Sequence, residues 1–168
     1  MDKRVKLIGL ISVIAIVAVY GALAIPAFLF TIKANISPVM GYQFIFNAYP
    51  DRFSNNHHIA GPSVLGIVAL SLLLIALAMH VLARKSSAFL LLGGLLNVAT
   101  SIMFFAMEAS KNHVFGTDRS MVTLSPITYI IGAVLVITGL LSLYVAFKSM
   151  KSERKELSSK KSYSYLKK

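Results

Sequence analysis

The chain contains no cysteine and no tryptophan among its 168 residues, and only 14% of its residues are charged. The lack of cysteine excludes disulfide bridges, thiolate metal sites and a cysteine nucleophile. In soluble domains about a quarter of the residues are usually charged. The low charged fraction together with 57% hydrophobic residues is therefore typical of a membrane protein. Without tryptophan, an aromatic belt at the lipid–water boundary has to consist of Tyr and Phe.

Four long runs of the chain carry no Asp, Glu, Lys or Arg. A helix of about 20 residues crosses the hydrocarbon core of a bilayer. The predicted fold class is therefore all-α: a polytopic integral membrane protein that forms a single four-helix transmembrane bundle. The second and third helices are expected to form a tight antiparallel hairpin, because only Arg84 and Lys85 separate their runs. The predicted spans are residues 7–32, 60–83, 86–107 and 121–147.

The basic residues are distributed unequally between the two ends of the predicted bundle. Thirteen of the 17 Lys and Arg flank the end that holds both termini and the second connection, and four flank the other end. Because cytoplasmic segments carry an excess of Lys and Arg, the sequence predicts a plasma membrane protein with both termini in the cytoplasm. The external loops are then residues 33–58 and 108–120, and the composition favours a bacterial membrane.

The first apolar run admits a second interpretation. A basic start, an apolar stretch and Ala22-Leu23-Ala24 together are similar to a secretory signal peptide with its cleavage site. The run continues to Ile32, which is long for a signal peptide and ordinary for an uncleaved anchor. We therefore expect a retained first helix, and cleavage would leave three spans.

The net charge of +11 does not predict a nucleic-acid partner. The basic residues flank the apolar runs and fill the tail at 148–168, as topology signals and lipid contacts do. The tail is predicted to be a disordered cytoplasmic segment that contacts anionic lipid, with about 1 kcal/mol for each basic residue near the surface.

Small and polar residues recur at helical spacing within the apolar runs. Helices in lipid associate through close backbone approach and interhelical hydrogen bonds, so these residues predict the faces that meet in a left-handed bundle. The first span offers a short stripe of Ala15, Ala18 and Ala22. The packing candidates in the other spans are Gly66, Gly94, Asn97, Ser101, Ser125, Gly132, Gly139 and Ala146.

Three polar side chains are candidates for a function. Asn97, in the middle of the third span, is interpreted as an interhelical hydrogen-bond donor, with a polar pathway as the alternative. His80 precedes Arg84 by one turn and is interpreted as an interface residue, with pH sensing as the alternative. Glu108 ends the third span with Lys111 three residues on, so a solvated pair explains it, and proton or cation coupling is the alternative.

The two predicted external loops hold further candidates. The first loop is rich in aromatic residues and is expected to lie on the membrane surface or to cap the bundle, with partner binding as the alternative. Alternation from Met40 to Phe46 permits a short strand. A metal site is only weakly indicated, because no paired-histidine helical spacing is present among its potential ligands, which are His57, His58, Glu108, His113 and Asp118.

No nucleophile, base or metal cluster shares one depth in the predicted helices, so no catalytic chemistry and no cofactor is predicted. We expect a protein that acts by binding, as a scaffold, an accessory subunit or an envelope component, with a membrane protein partner or as a homo-oligomer. The alternative is a small oligomeric transporter or channel. The layout resembles that of claudin-like tetraspan proteins, but the Trp and paired Cys of their first loop are missing, so no family membership is inferred.

Overall fold

The computed structural model describes residues 3–32, 35–46, 62–114 and 122–165. Four helices are long and apolar enough to cross a membrane, and they pack against one another. The predicted four-helix bundle is therefore confirmed, and it fits a multi-pass membrane protein. In chain order the elements are α1 (Lys3–Ala22), β1 (Pro26–Ile32), β2 (Asn35–Met40), α2 (Gly41–Phe46), α3 (Val64–Leu82), α4 (Ser87–Val114), β3 (Val122–Leu124) and α5 (Pro126–Tyr165).

The four long helices form a ring in the order α1, α3, α4, α5. Helix α4 packs most extensively against α5 and α3, and α1 closes the ring by contacts with α5 and α3. The predicted tight connection between α3 and α4 is present at residues 83–86. We name the end of the bundle with this connection and the start of α1 the turn end, and the opposite end, where the strands lie, the sheet end.

Local hydrogen bonds define where α3 and α4 begin. Ser63 is the N-cap of α3, and its hydroxyl accepts from the Gly66 N–H at 3.2 Å. Ser86 precedes α4, and its hydroxyl accepts from the Ala88 N–H at 3.3 Å. Serine is favoured at these positions because its side chain satisfies an N–H that lacks a partner within the helix.

The prediction that the first helix extends to residue 32 is wrong. Helix α1 ends at Ala22, and a turn follows in which the Ile25 N–H donates to the Ala22 carbonyl at 3.0 Å. Pro26 has no N–H to donate and disfavours a helical conformation at the residue before it. The remaining apolar residues form β1, and the 20 residues of α1 still suffice for a bilayer.

The predicted disorder of the basic tail is also wrong, because α5 continues without a break to Tyr165. The sequence has no Gly or Pro after Gly139, and Lys, Arg, Glu and Leu are good helix formers. Glu153 lies one turn after Ser149 and accepts hydrogen bonds at 3.5 Å from the hydroxyls of Ser149 and Ser87. The start of the tail therefore still contacts α4. The last three residues lie outside the described part of the chain.

A three-stranded antiparallel sheet in the order β2–β1–β3 lies at the sheet end. The first residues of β1 connect both partners, since Phe28 pairs with Val39 of β2 and with Leu124 of β3. The strand permitted by the alternation after Met40 is a helix instead, α2, whose Phe44 and Ile45 are fully buried. Helix α2 thus covers part of the sheet end, whereas residues 33–34 and 47–58 of the predicted first loop lie outside the described residues.

Buried apolar residues form two clusters along the bundle axis. The larger one fills the sheet end and the middle and includes Phe44, Leu73, Phe104 and Leu135. The smaller one lies at the turn end. We name them the sheet-end cluster and the turn-end cluster; the latter consists of Val5, Ala83, Leu90 and Ala146.

Large apolar side chains also cover the outside of the bundle, where Leu74, Ile102 and Ile137 are all more than half exposed. Such a surface fits contact with lipid, because burial in lipid removes it from water. Tyr129 and Tyr144 are exposed on α5 and lie 15 residues apart, about 22 Å along the helix. This separation is shorter than the roughly 30 Å hydrocarbon core of a bilayer.

The closest backbone approach in the bundle joins α4 to α5. A Cβ atom placed on Gly94 would lie 2.8 Å from the Gly139 carbonyl oxygen, and one on Gly139 would lie 2.9 Å from the Gly94 carbonyl oxygen. A Cβ atom on Gly132 would lie 2.3 Å from the Phe105 ring. The carbonyl contacts leave no room for a side chain at Gly94 or Gly139, and a side chain at Gly132 would displace the Phe105 ring.

We expect Gly132→Leu and Gly139→Leu to lower the thermal stability of the protein in mild detergent. The added side chains would push α5 away from α4, and overpacking typically destabilises by about 1–3 kcal/mol. Gly21→Leu is the matched control, because a Cβ atom at Gly21 meets nothing within 4 Å. Equal melting temperatures for all three variants and the wild type would contradict this contact.

Candidate functional site

Each of the four long helices contributes a buried polar side chain to the interior of the bundle. All of these side chains are at most 7% exposed. They lie between the sheet-end and turn-end clusters in the order of residues along each helix. We name this set the polar cluster; its members are Ser12, His80, Asn97, Thr100, Ser101, Thr138 and Ser142.

Asn97 lies at the centre of the polar cluster and connects three helices. Its Nδ2 atom lies 3.2 Å from His80 Nε2 of α3 and donates to Thr138 Oγ1 of α5 at 3.4 Å. An amide nitrogen only donates, so His80 accepts at Nε2. The Thr138 hydroxyl in turn donates to the Val134 carbonyl at 2.8 Å.

The direction of helical side chains explains why His80 reaches Asn97. A Cα–Cβ bond tilts toward the N-terminus of its helix. In the antiparallel pair, His80 therefore leans away from the turn end, while Asn97 leans toward it. A Cβ atom on Gly93 would lie 2.9 Å from the His80 ring, so this glycine makes room for the imidazole. His80 is 1% exposed, so its imidazole lies in the interior of the bundle, and its interpretation as a residue at the membrane interface stays a prediction.

Further hydrogen bonds link the other neighbours in the ring. The hydroxyls of Ser12 and Ser142 lie 3.2 Å apart and join α1 to α5. The Ser101 hydroxyl donates to the Gly132 carbonyl at 2.8 Å and joins α4 to α5. Tyr20 donates to the carbonyl of Leu70 at 2.8 Å and joins α1 to α3. Every neighbouring pair of long helices is therefore connected by at least one hydrogen bond.

Four buried polar atoms have no hydrogen-bond partner among the described residues: His80 Nδ1, Asn97 Oδ1, Thr100 Oγ1 and Ser125 Oγ. An unpaired buried polar atom typically destabilises by about 1–3 kcal/mol. A cavity of about 50 Å³ borders His80 from the side of α1 and α3, and it is also lined by Lys6, Gly9 and Arg84. The polar cluster therefore retains unused hydrogen-bonding capacity at His80 Nδ1, Asn97 Oδ1 and Thr100 Oγ1.

Glu108 performs a different task at the sheet end. Its Oε2 atom accepts from the Leu124 N–H at 3.1 Å, which holds β3 against α4. The predicted pair with Lys111 involves a side chain outside the described residues. Glu108 therefore has a defined structural partner in the backbone of β3.

The weakly indicated metal site gains no support from the described residues, which contain no group of three potential ligands. His57, His58 and Asp118 lie outside the described part of the chain.

The remaining packing candidates are buried at three different places. A Cβ atom on Gly66 would lie 2.9 Å from Ile45 of α2 and 3.2 Å from the Met107 sulfur of α4, so Gly66 makes room for both helices. Ser125 lies at the start of α5, where its carbonyl accepts from the Thr128 N–H at 3.0 Å. Ala146 belongs to the turn-end cluster.

The sequence interpretation missed the face of α1 that packs in the bundle. The predicted stripe is wrong, since Ala18 is exposed, whereas Gly9, Ser12 and Ile16 are buried. Helix α1 is apolar around its circumference, so periodicity could not select one face. The spacing of Gly9 and Ser12 was the available signal. Thr138 was missed as well, although it precedes Gly139 directly.

We expect Asn97→Ala and His80→Ala to destabilise the bundle, and their effects to be coupled. Asn97→Ala leaves His80 Nε2 without its donor, and such a loss is typically about 1–3 kcal/mol. A double-mutant cycle in detergent unfolding should give a coupling energy of about 0.6 kcal/mol and at most about 1.7 kcal/mol. Ser71→Ala is the control, because Ser71 is exposed and bonds only to the Ile67 carbonyl of its own helix. Zero coupling would contradict the hydrogen bond.

Glu108→Gln and Glu108→Leu distinguish the structural role of Glu108 from ion coupling. The glutamine side chain still offers an oxygen to the Leu124 N–H, so its stability should remain within about 1 kcal/mol of wild type. The leucine variant loses the acceptor, and the Leu124 amide should exchange hydrogen faster. A glutamine variant as destabilised as the leucine variant would show that the negative charge itself is required.

Comparison with known proteins assigns no function to this site. No family model matches the chain, and no curated protein matches it. A functional assignment therefore rests on its own residues and their geometry.

Proposed function

We propose that this protein acts by binding another membrane protein, as a scaffold, an accessory subunit or an envelope component, and that it performs no catalysis. One observation carries the proposal: exposed apolar side chains lie at the sheet end, on the short helix α2 and on the last residue of β2 before it. Met40, Tyr42 and Phe46 are exposed at the sheet end, with Tyr42 at 41% and Phe46 at 53%. Exposed apolar patches at fixed positions are typical of protein interfaces.

Helix α2 has only six residues, so its position depends on tertiary contacts. Phe44 and Ile45 are fully buried in the sheet-end cluster. The Tyr42 N–H donates to the Leu23 carbonyl at 3.2 Å, and the Ser63 N–H donates to the Ile45 carbonyl at 2.8 Å. These contacts support a preorganised surface, which loses less conformational entropy when a partner binds.

The neighbouring sheet supports the same interpretation. Strand β1 pairs with both other strands, and Glu108 holds β3 to α4. The two segments at this end of the bundle are therefore joined to each other and to the helices beneath them. A connection between helices requires no such structure, whereas a recognition surface benefits from it.

We further propose that the protein lies in the plasma membrane of a bacterial cell, with both termini in the cytoplasm and the sheet end outside. The support is the distribution of Lys and Arg, with thirteen residues at the turn end and its flanks and four at the other end.

Transport by an oligomer is the second candidate, and fewer observations favour it. Leu73, Phe104 and Leu135 are almost fully buried between the polar cluster and the sheet end. A polar route through one copy would have to pass this apolar layer. Glu108, the acidic candidate for ion coupling, is engaged with the backbone of β3.

Single-cysteine variants test the proposal cleanly, because the chain has no cysteine of its own. We expect Tyr42→Cys to react with an impermeant maleimide in intact cells, and Ser152→Cys to react only after permeabilisation. A photoactivatable maleimide on Tyr42→Cys should then crosslink one protein of defined mass. Ile137→Cys, at an exposed position in the middle of the uncharged part of α5, is the control and should crosslink mainly lipid.

Two outcomes would contradict the proposal. Equal crosslinking of the same protein from positions 42 and 137 would show that the sheet end is not the binding surface. A homo-oligomer as the sole product would favour transport instead.

A further inference from the structure

An open cavity of about 470 Å³ lies between the start of α1 and the end of α3 at the turn end. Its lining consists of three cationic and two apolar side chains: Lys3, Lys6, Arg84, Leu7 and Leu10. The acidic residue described nearby in the fold, Glu153, is bonded to serines of α4 and α5 instead. The cavity therefore presents a concentrated positive charge.

A stripe of exposed apolar side chains leads from this cavity toward the sheet end along α1. Leu7, Leu10, Ile14 and Val17 follow one another at intervals of three or four residues, so they share one face of the helix. Each of the four is at least 47% exposed. Cationic groups thus lie at one end of the stripe, where the apolar part of α1 begins.

We infer that the groove between α1 and α3 at the turn end binds an anionic phospholipid, with its phosphate against Lys3, Lys6 and Arg84 and an acyl chain along the exposed stripe of α1. The distribution of charge and apolar surface matches both parts of such a lipid. Basic pockets between membrane helices are known to hold anionic headgroups. The inference is independent of the protein partner proposed for the sheet end.

A bound headgroup would also bridge two helices that are otherwise joined by few polar contacts. The smaller cavity beside His80 shares Lys6, Leu10 and Arg84 with the open one. At this level, a Cβ atom on Gly9 would lie 3.1 Å from the His80 carbonyl oxygen, so α1 and α3 approach closely. A phosphate that attracts Lys6 of α1 and Arg84 beside α3 should therefore hold the two helices together and raise stability.

The test titrates purified full-length protein in detergent with phosphatidylglycerol or with phosphatidylcholine of the same chains. Bound lipid is counted by native mass spectrometry, and the melting temperature is recorded in parallel. Phosphatidylglycerol should bind at one site and raise the melting temperature more than phosphatidylcholine does. Lys6→Gln/Arg84→Gln should weaken this binding about thirtyfold, since each basic residue near an anionic surface contributes about a factor of five.

Lys85→Gln/Lys148→Gln is the matched control. It removes the same charge at exposed positions of the same end that do not line the cavity, so its affinity should stay within threefold of wild type, about 0.6 kcal/mol. Should the first pair fail to fold, Lys3→Gln/Lys6→Gln replaces it, because both lysines are exposed in the first turn of α1.

Three outcomes would overturn the inference. Equal weakening by the cavity and control pairs would show diffuse attraction rather than a site. If Lys6→Gln/Arg84→Gln bound phosphatidylglycerol as tightly as the wild type, these two cationic side chains would not form the binding site. Equal stabilisation by inorganic phosphate at the same concentration would show a phosphate site that makes no use of the acyl chain.

Discussion

The direct contact between the backbones of α4 and α5 at Gly94 and Gly139 is the constraint on which the rest of the bundle depends. It places Asn97, one turn after Gly94, within hydrogen-bonding distance of Thr138, which precedes Gly139. Any side chain at either glycine would separate the helices by more than this bond tolerates. Since His80 bonds to the same amide, the position of α3 follows from the same contact.

The exposed apolar outer surface indicates that lipid surrounds the bundle, and this surrounding explains which side chains are buried between the helices. In lipid, apolar side chains gain little from moving inward, so close packing and polar contacts decide which helix faces meet. The bundle accordingly buries serine, threonine, asparagine and histidine between helices and leaves large apolar side chains outside. The sequence pattern allowed these faces of α3, α4 and α5 to be predicted because their small and polar residues interrupt apolar runs. The uniformly apolar α1 offered no such contrast.

Other features could not be predicted because they depend on contacts distant in sequence. The uncharged run that begins at residue 7 is longer than a bilayer requires. Pro26 explains locally why the helix ends before it, but that the following residues form a strand depends on the pairing of Phe28 with Val39 and Leu124. The position of His80 near the end of an apolar run suggested that it lies at the membrane interface. The His80 side chain is directed into the interior of the bundle. A hydropathy pattern carries no information about this direction.

Helix α4 connects the two ends physically, because it carries both Asn97 and Glu108. These residues lie 11 positions apart, about 16 Å along one helix. Asn97 bonds to His80 of α3, and Glu108 bonds to β3, which belongs to the sheet beside α2. Helix α4 therefore joins the polar cluster, through Asn97, to the sheet end, through Glu108, so that one straight element fixes the positions of both.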